Sequence, residues 1–114
     1  MATEPTHPVA VWHLAEMAAQ QQTAFNEFFR IPALSLEIYK LPAGGVDGQK
    51  PHNEDEAYYV ISGKAKIDVE GDVRAVAPGD LIFVAAKAHH KFIDIEEDLT
   101  VLVIFAPAFT GNPE

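Results

Sequence analysis

The chain has 114 residues, 48% of them hydrophobic, with 17 acidic side chains against 8 basic ones and a net charge of −9. That length holds one domain with a real core, and an acidic balance without any Lys/Arg cluster excludes a nucleic-acid or anionic-lipid surface. No apolar run approaches the roughly 20 residues of a membrane span, the N-terminal MATEPTHPVAV lacks a signal-peptide pattern, and zero cysteines rule out disulfides and thiolate sites and fit the cytoplasm.

Residues 1–8 carry Pro5 and Pro8 without an apolar period, which predicts a flexible tail ahead of a domain over 9–110. Val9–Leu14 (VAVWHL) is compatible with a short strand, and Ala15–Gln22 has the composition of a short helix or turn. Thr23–Ile31 is ambiguous, because Phe25, Phe28 and Phe29 fit helical spacing as well as an irregular strand. From Ala33 the period is two: Leu34, Leu36 and Ile38 alternate with Ser35, Glu37 and Tyr39 until Pro42-Ala-Gly-Gly ends the strand. Lys64–Glu70 alternates with Ala65, Ile67 and Val69 inward and Lys64, Lys66, Asp68 and Glu70 in water. Glu70-Gly-Asp72 reads as a hairpin turn into Val73–Val76, and Pro78-Gly-Asp80 as a turn into a buried run, LIFVA, at 81–85. His90–Glu96 and Leu99–Ala106 form a last pair around Glu97-Asp98.

Short strands with turn signals every eight to twelve residues predict an all-β sandwich or barrel. Leu99, Val101, Val103 and Phe105 make one face of the final strand apolar, and Leu102 and Ile104 do the same for the other. A strand apolar on both faces must be covered twice. The second cover is either a partner subunit, which predicts a homodimer, or the N-terminal aromatic segment folded back.

The chemistry concentrates in Gly44–Gly63, GGVDGQKPHNEDEAYYVISG. Gly44, Gly45, Gly48 and Pro51 precede His52, and the β-formers Tyr58–Ile61 follow Glu56, so a turn delivers the histidine and a strand begins at the glutamate. Such a pair converges on one point, as metal ligands do. Gly44, Lys50, His52, Glu56 and Gly63, followed by Gly79, Ala85, Lys87, His90 and Asp94, keep every spacing of two motifs. On these residues the chain resembles the cupins, small β-barrels of the jelly-roll type, over about residues 34–106, with motif 1 at 44–63 and motif 2 at 79–94.

The resemblance implies that His52, Glu56 and His90 occupy three of four metal-ligand positions. Two imidazoles and one carboxylate suit a single divalent transition metal ion (Fe, Mn, Ni, Co, Cu or Zn) and leave positions open for a ligand. Lys50 stands where the family has its first histidine. It must lose a proton from a pKa of roughly 10 before it can bind metal, so it either pairs with Glu54 or Asp55 or hangs over the open position, where it could hold an anionic substrate. His90 is expected to share a face with Phe92 and Asp94, and Glu56 with Tyr58 and Val60. Tyr58 is either barrel core or a catalytic group reaching the cavity. Plain surface histidines are the alternative for His52 and His90, and Glu54 and Asp55 read as a solvated turn. His89 should face away from His90, and His7 and His13 have no partners. The implied function is a metal-binding cupin, as a non-haem dioxygenase or other oxidoreductase acting on a small organic molecule in the barrel, with Lys50 and Tyr58 orienting the substrate. The alternatives are a non-catalytic ligand- or metal-binding module and an isomerase or decarboxylase on the same metal.

Overall fold

Leu14–Gln20 carries three alanines and no β-branched residue, and it forms the only helix among the described residues, α1. The computed structural model describes residues 8–111, so the expected tail lies outside them except for Pro8. The strand expected over Val9–Leu14 does not form: this segment runs into α1, and Trp12 packs its ring against Phe28 and Phe29. Lys40 donates from Nζ to the Ala18 and Gln21 carbonyls at the end of α1, which pins the helix to the sheet.

Six strands follow: β1 Phe25–Ile31, β2 Leu34–Leu41, β3 Asp55–Val69, β4 Asp72–Val76, β5 Leu81–Val84 and β6 His90–Ala106. All pairings are antiparallel, in the order β1-β2-β6-β3-β4, with β5 on the free side of β3. The ambiguous segment is a strand with a bulge. Its register jumps from Glu27↔Glu37 to Phe29↔Leu36, so Phe28 is an extra residue, and this is why three phenylalanines mimic helical spacing. The last two expected strands are one continuous strand, because Glu97 pairs with Lys64 in the β3–β6 ladder instead of turning.

The long strands β3 and β6 build the barrel by bending together. The inward residues of β3 are Glu56, Tyr58 and Val60 before the bend and Ala65 and Ile67 after it, a change of parity that the irregular register between Val60 and Lys66 produces. Strand β6 changes parity likewise, from His90 and Phe92 to Ile95, and Asp94, with φ 48°, turns out into water. The expected face shared by His90, Phe92 and Asp94 therefore breaks at Asp94, which sits 3.5 Å from Lys66. The core comprises Tyr58, Val60, Ile67, Val84, Phe92, Leu99, Val101, Val103 and Phe105.

Strand β2 has the expected period, and its polar set is the one that faces inward. Ser35, Glu37 and Tyr39 are buried, while Leu34 and Leu36 are half-buried on the outside and Ile38 is buried, its carbonyl accepting from Gln21 Nε2 just after α1. The run at 81–85 is not buried: Leu81 and Phe83 are 70% and 68% exposed, because β5 is a short edge strand with one neighbour and only its even residues point to the core. Lys64–Glu70 alternates as expected, and Glu70 and Gly71, both at positive φ, make the two-residue hairpin turn.

Gly63 sits at the bend with φ 99°, and a Cβ there would lie 2.2 Å from the Asp98 carbonyl oxygen and 2.6 Å from Leu99 Cα. Both contacts are backbone in the partner strand, so no rotamer change relieves them. The Gly63→Ala variant is expected to lose on the order of 3 kcal/mol or more, read as a lowered urea midpoint.

Candidate metal centre

Three structural elements deliver the three side chains. Asp47 organises the loop before His52: its carboxylate, 6% exposed, accepts from Tyr39 Oη (2.8 Å), Gln49 N (3.1 Å) and Phe92 N (2.9 Å). The His52 carbonyl accepts from Lys87 N at 2.7 Å, and Lys87 holds φ 67° where the second motif has its second glycine. Glu56 enters β3 opposite Phe105 and Val84, and His90 opens β6 opposite Val69. One ligating atom from each of His52, Glu56 and His90 lies within 4.8 Å of the others, the one such group among the described residues.

The details favour a cation between them. His90 donates from Nδ1 to the Ala88 carbonyl at 2.9 Å, which leaves Nε2 as the free lone pair in the neutral ring. That Nε2 is 3.0 Å from Glu56 Oε1, and His52 Nε2 is 3.2 Å from the same oxygen. All these atoms and Glu56 Oε2 are buried with no aligned hydrogen bond. Bare acceptors at that spacing repel one another unless a proton or a metal ion sits between them. The donor set fits a divalent transition ion, and the Nδ1–carbonyl bond is the outer support such a ligand needs. Burial alone would push Glu56 up, but contact with His52 and then His90 outweighs it and holds the carboxyl below its usual range. Burial pulls His90 down, and contact with Glu56 outweighs that and raises it.

A cavity of about 260 Å³ reaches this centre from outside and ends on His52. Phe105 and Phe109 stack at 4.6 Å and present their rings to His52, at 4.8 Å and 5.8 Å, forming an apolar wall. The C-terminal segment crosses the mouth here. Phe109 N donates to Ser35 Oγ, its carbonyl accepts from Arg30, and Thr110 gives Glu54 both its N–H (3.2 Å) and its hydroxyl (2.7 Å).

Lys50 lies at the rim, exposed, and among the described residues pairs with neither Glu54 nor Asp55. Glu54 is not in a solvated turn: it is 2% exposed, on the same inward face as Glu56, and held by Thr110. Asp55 does face water, accepting from Ala86 N. Tyr58 is wholly buried and donates to Gln49 Oε1 at 2.7 Å, so it meets the cavity through Gln49. Burial, and then the charge of Glu56, pushes its phenol well above the usual range. His89 faces outward and is exposed.

Sequence reasoning missed Glu37, Asp47 and the Phe109–Thr110 segment. Glu54 was legible from its i, i+2 relation to Glu56 on one strand face. Glu37 was hidden because a glutamate between leucines reads as the wet side.

Residues 37–105 match the family model described as the cupin domain. This chain belongs to the cupins. Its similarity to an uncharacterised protein of Streptomyces coelicolor is 46% identity over 93 residues, which is 82% of this chain and 88% of that one. Among solved structures, KdgF from a Halomonas species superposes with a TM-score of 0.67 and 26% identity, covering 73% of this cupin and 76% of that chain. An RmlC-like cupin from Shewanella frigidimarina gives 0.65 and 19%, covering 74% and 75%, which speaks for the fold alone.

Glu37 lines the cavity, and burial, then the charges of Glu56 and Glu27, push its carboxyl from 4.5 up to about 8. Below pH 4.5 it is neutral folded and unfolded, so its ionisation adds no cost there. Between 4.5 and 8 only the unfolded chain ionises, so stability falls as pH rises, by on the order of 4 kcal/mol in all at 1.36 kcal/mol per pKa unit. An amide there still carries a burial cost of about 1–3 kcal/mol. The Glu37→Gln variant is therefore expected to be more stable than wild type by about 2 kcal/mol at pH 8 and no more stable at pH 4, by urea unfolding at the two pH values.

Proposed function

We propose that this cupin holds one divalent transition metal ion through His52, Glu56 and His90 and acts on a small organic molecule that enters the cavity. The observation carrying this reading is the set of buried acceptors, His52 Nε2, His90 Nε2 and both Glu56 oxygens, that converge without a hydrogen bond to share. An ion of this kind supplies Lewis acidity and, when redox-active, the one-electron chemistry of non-haem oxidation. The protein's own groups supply the rest. Phe105 and Phe109 keep water from the His52 end of the cavity, Lys50 at the rim attracts an anionic group, and Tyr58 positions Gln49. Oxygen-dependent oxidation of a small molecule is the first activity we assign. Isomerase or decarboxylase chemistry on the same centre is the second, favoured by the proton-holding Glu37.

No helix among the described residues is long and apolar enough to cross a membrane, and the net charge of −9 favours a small-molecule partner over nucleic acid. We place the protein in the cytoplasm. We also propose a homodimer, since Tyr59, Leu81 and Phe83 leave an exposed apolar strip beside the half-buried Leu102 and Ile104 on the outer sheet face. Phe83→Glu is expected to give monomers by light scattering.

Metal analysis of the freshly purified protein tests the main reading. Close to one ion per chain is expected, with His52→Ala and His90→Ala each weakening metal affinity by about 100-fold or more, since loss of outer-sphere partners alone costs 10–100-fold. Dioxygen uptake with phenols, thiols and keto-acids then separates turnover from a module that binds without reacting. A wild-type protein free of metal, and equally stable with and without chelator, would refute the metal reading.

A further inference from the structure

Among the described residues four carboxylates are buried, and three have evident partners. Asp47 takes three donors, Glu54 takes the Thr110 N–H and hydroxyl, and Glu56 faces two imidazoles. Glu37 is different. It is 4% exposed and points inward from β2, and among the described residues its side chain has no hydrogen-bond or ion-pair partner. What its carboxyl meets is the cavity that ends on His52. A buried carboxyl that the fold neither bonds nor neutralises costs stability, and such a group in a cleft is placed for chemistry.

We propose that Glu37 is the general base and acid of the pocket, moving a proton on an enolisable 2-oxo acid bound between the Phe105–Phe109 wall and His52. The substrate class follows from the lining. Flat aromatic rings suit a planar enolate, Lys50 at the rim has no ion-pair partner among the described residues and suits a carboxylate, and Glu37 lines the same cavity. Burial, then the charges of Glu56 on β3 and Glu27 on β1, raise the proton affinity of Glu37; His52, Lys50 and Glu54 line the same cavity, and β6 presents apolar Val103 and Phe105. A carboxyl that half-ionises near 8 serves both directions at neutral pH.

In the step, a Glu37 carboxylate oxygen takes a proton from the carbon next to the ketone. That C–H bond breaks, an O–H bond forms on Glu37, and the electron pair becomes the enolate C=C with the charge on oxygen. Return of the proton to the same carbon restores the ketone and the carboxylate. No oxidant is consumed, so the step stands alone as proton exchange at that carbon or precedes oxidation of the enolate.

The proposal rests on the metal reading above, and the test keeps the two apart. Zinc-loaded protein, which cannot oxidise the probe, is incubated in D₂O with pyruvate, 2-oxobutyrate or phenylpyruvate, and deuterium entering at C3 is followed by proton NMR. Wild type is expected to exchange at least one probe ten-fold faster than free zinc. Glu37→Gln should lose the excess rate by 100-fold while binding zinc within three-fold of wild type, and Glu37→Asp should recover part of it. The wild-type rate should rise with pH through an ionisation that Glu37→Gln lacks. Because Glu37→Gln is expected to be the more stable protein, misfolding cannot account for the loss. Exchange by Glu37→Gln within three-fold of wild type, or no wild-type exchange above free zinc with any of the three probes, overturns the proposal. Failure of wild type to take up zinc, read by titration on the same samples, defeats the metal reading instead.

Discussion

Everything about the interior of this protein turns on three buried acceptors that converge on one point. His52 Nε2, His90 Nε2 and Glu56 Oε1 lie 3.0–3.2 Å apart along their two contacts, and the Nδ1–carbonyl bond of His90 commits its other nitrogen to the same point. In a low-dielectric barrel, lone pairs at that spacing need a positive charge between them. Protons and metal ions therefore compete for one place. The carboxylate–imidazole contacts outweigh burial at both groups, raising the affinity of His90 for a proton and lowering that of Glu56.

The barrel meets this demand by bending two long strands together. Where β3 and β6 cross near Gly63, each changes which alternate residues face inward, so Glu56 and His90 share an interior with Ala65 and Leu99. The third ligand arrives on a loop, and the loop is stiffened by a buried carboxylate, Asp47, that ties it to β2 and β6 through Tyr39 and Phe92. The C-terminal segment then crosses the open end, anchored by Ser35, Arg30 and Glu54. A site built this way is preorganised by strands and closed by a strap.

Membership of the cupins accounts for the scaffold and leaves the chemistry to the cavity, since one fold carries many activities. Two features of this cavity bear on that chemistry. Lys50 replaces a neutral ligand with a fixed charge at the mouth, and Glu37 places a proton-holding carboxyl inside. The proposal that the pocket takes small anionic molecules with a mobile proton rests on this pairing of a cationic rim with a buried carboxyl.

Much of this was legible in one dimension. Strand period, hairpin chemistry at Glu70-Gly71, and the spacing of His52, Glu56, Gly63 and His90 are local properties of the chain, fixed by side-chain alternation and turn geometry, and they anticipated a barrel in which His52, Glu56 and His90 lie together. What remained hidden depends on which face of a strand meets the core. Leu34 and Leu36 of β2 lie half-buried on the outer face, while Glu37 points in toward the cavity. Leu81 and Phe83 are exposed because β5 has a neighbour on one side only. Phe109 and Thr110 join the site across a separation of more than fifty residues from Glu54 and His52. Alternation along a strand is set by the backbone; the choice between its two faces is made only when distant segments pack, and the cavity chemistry of this protein was decided there.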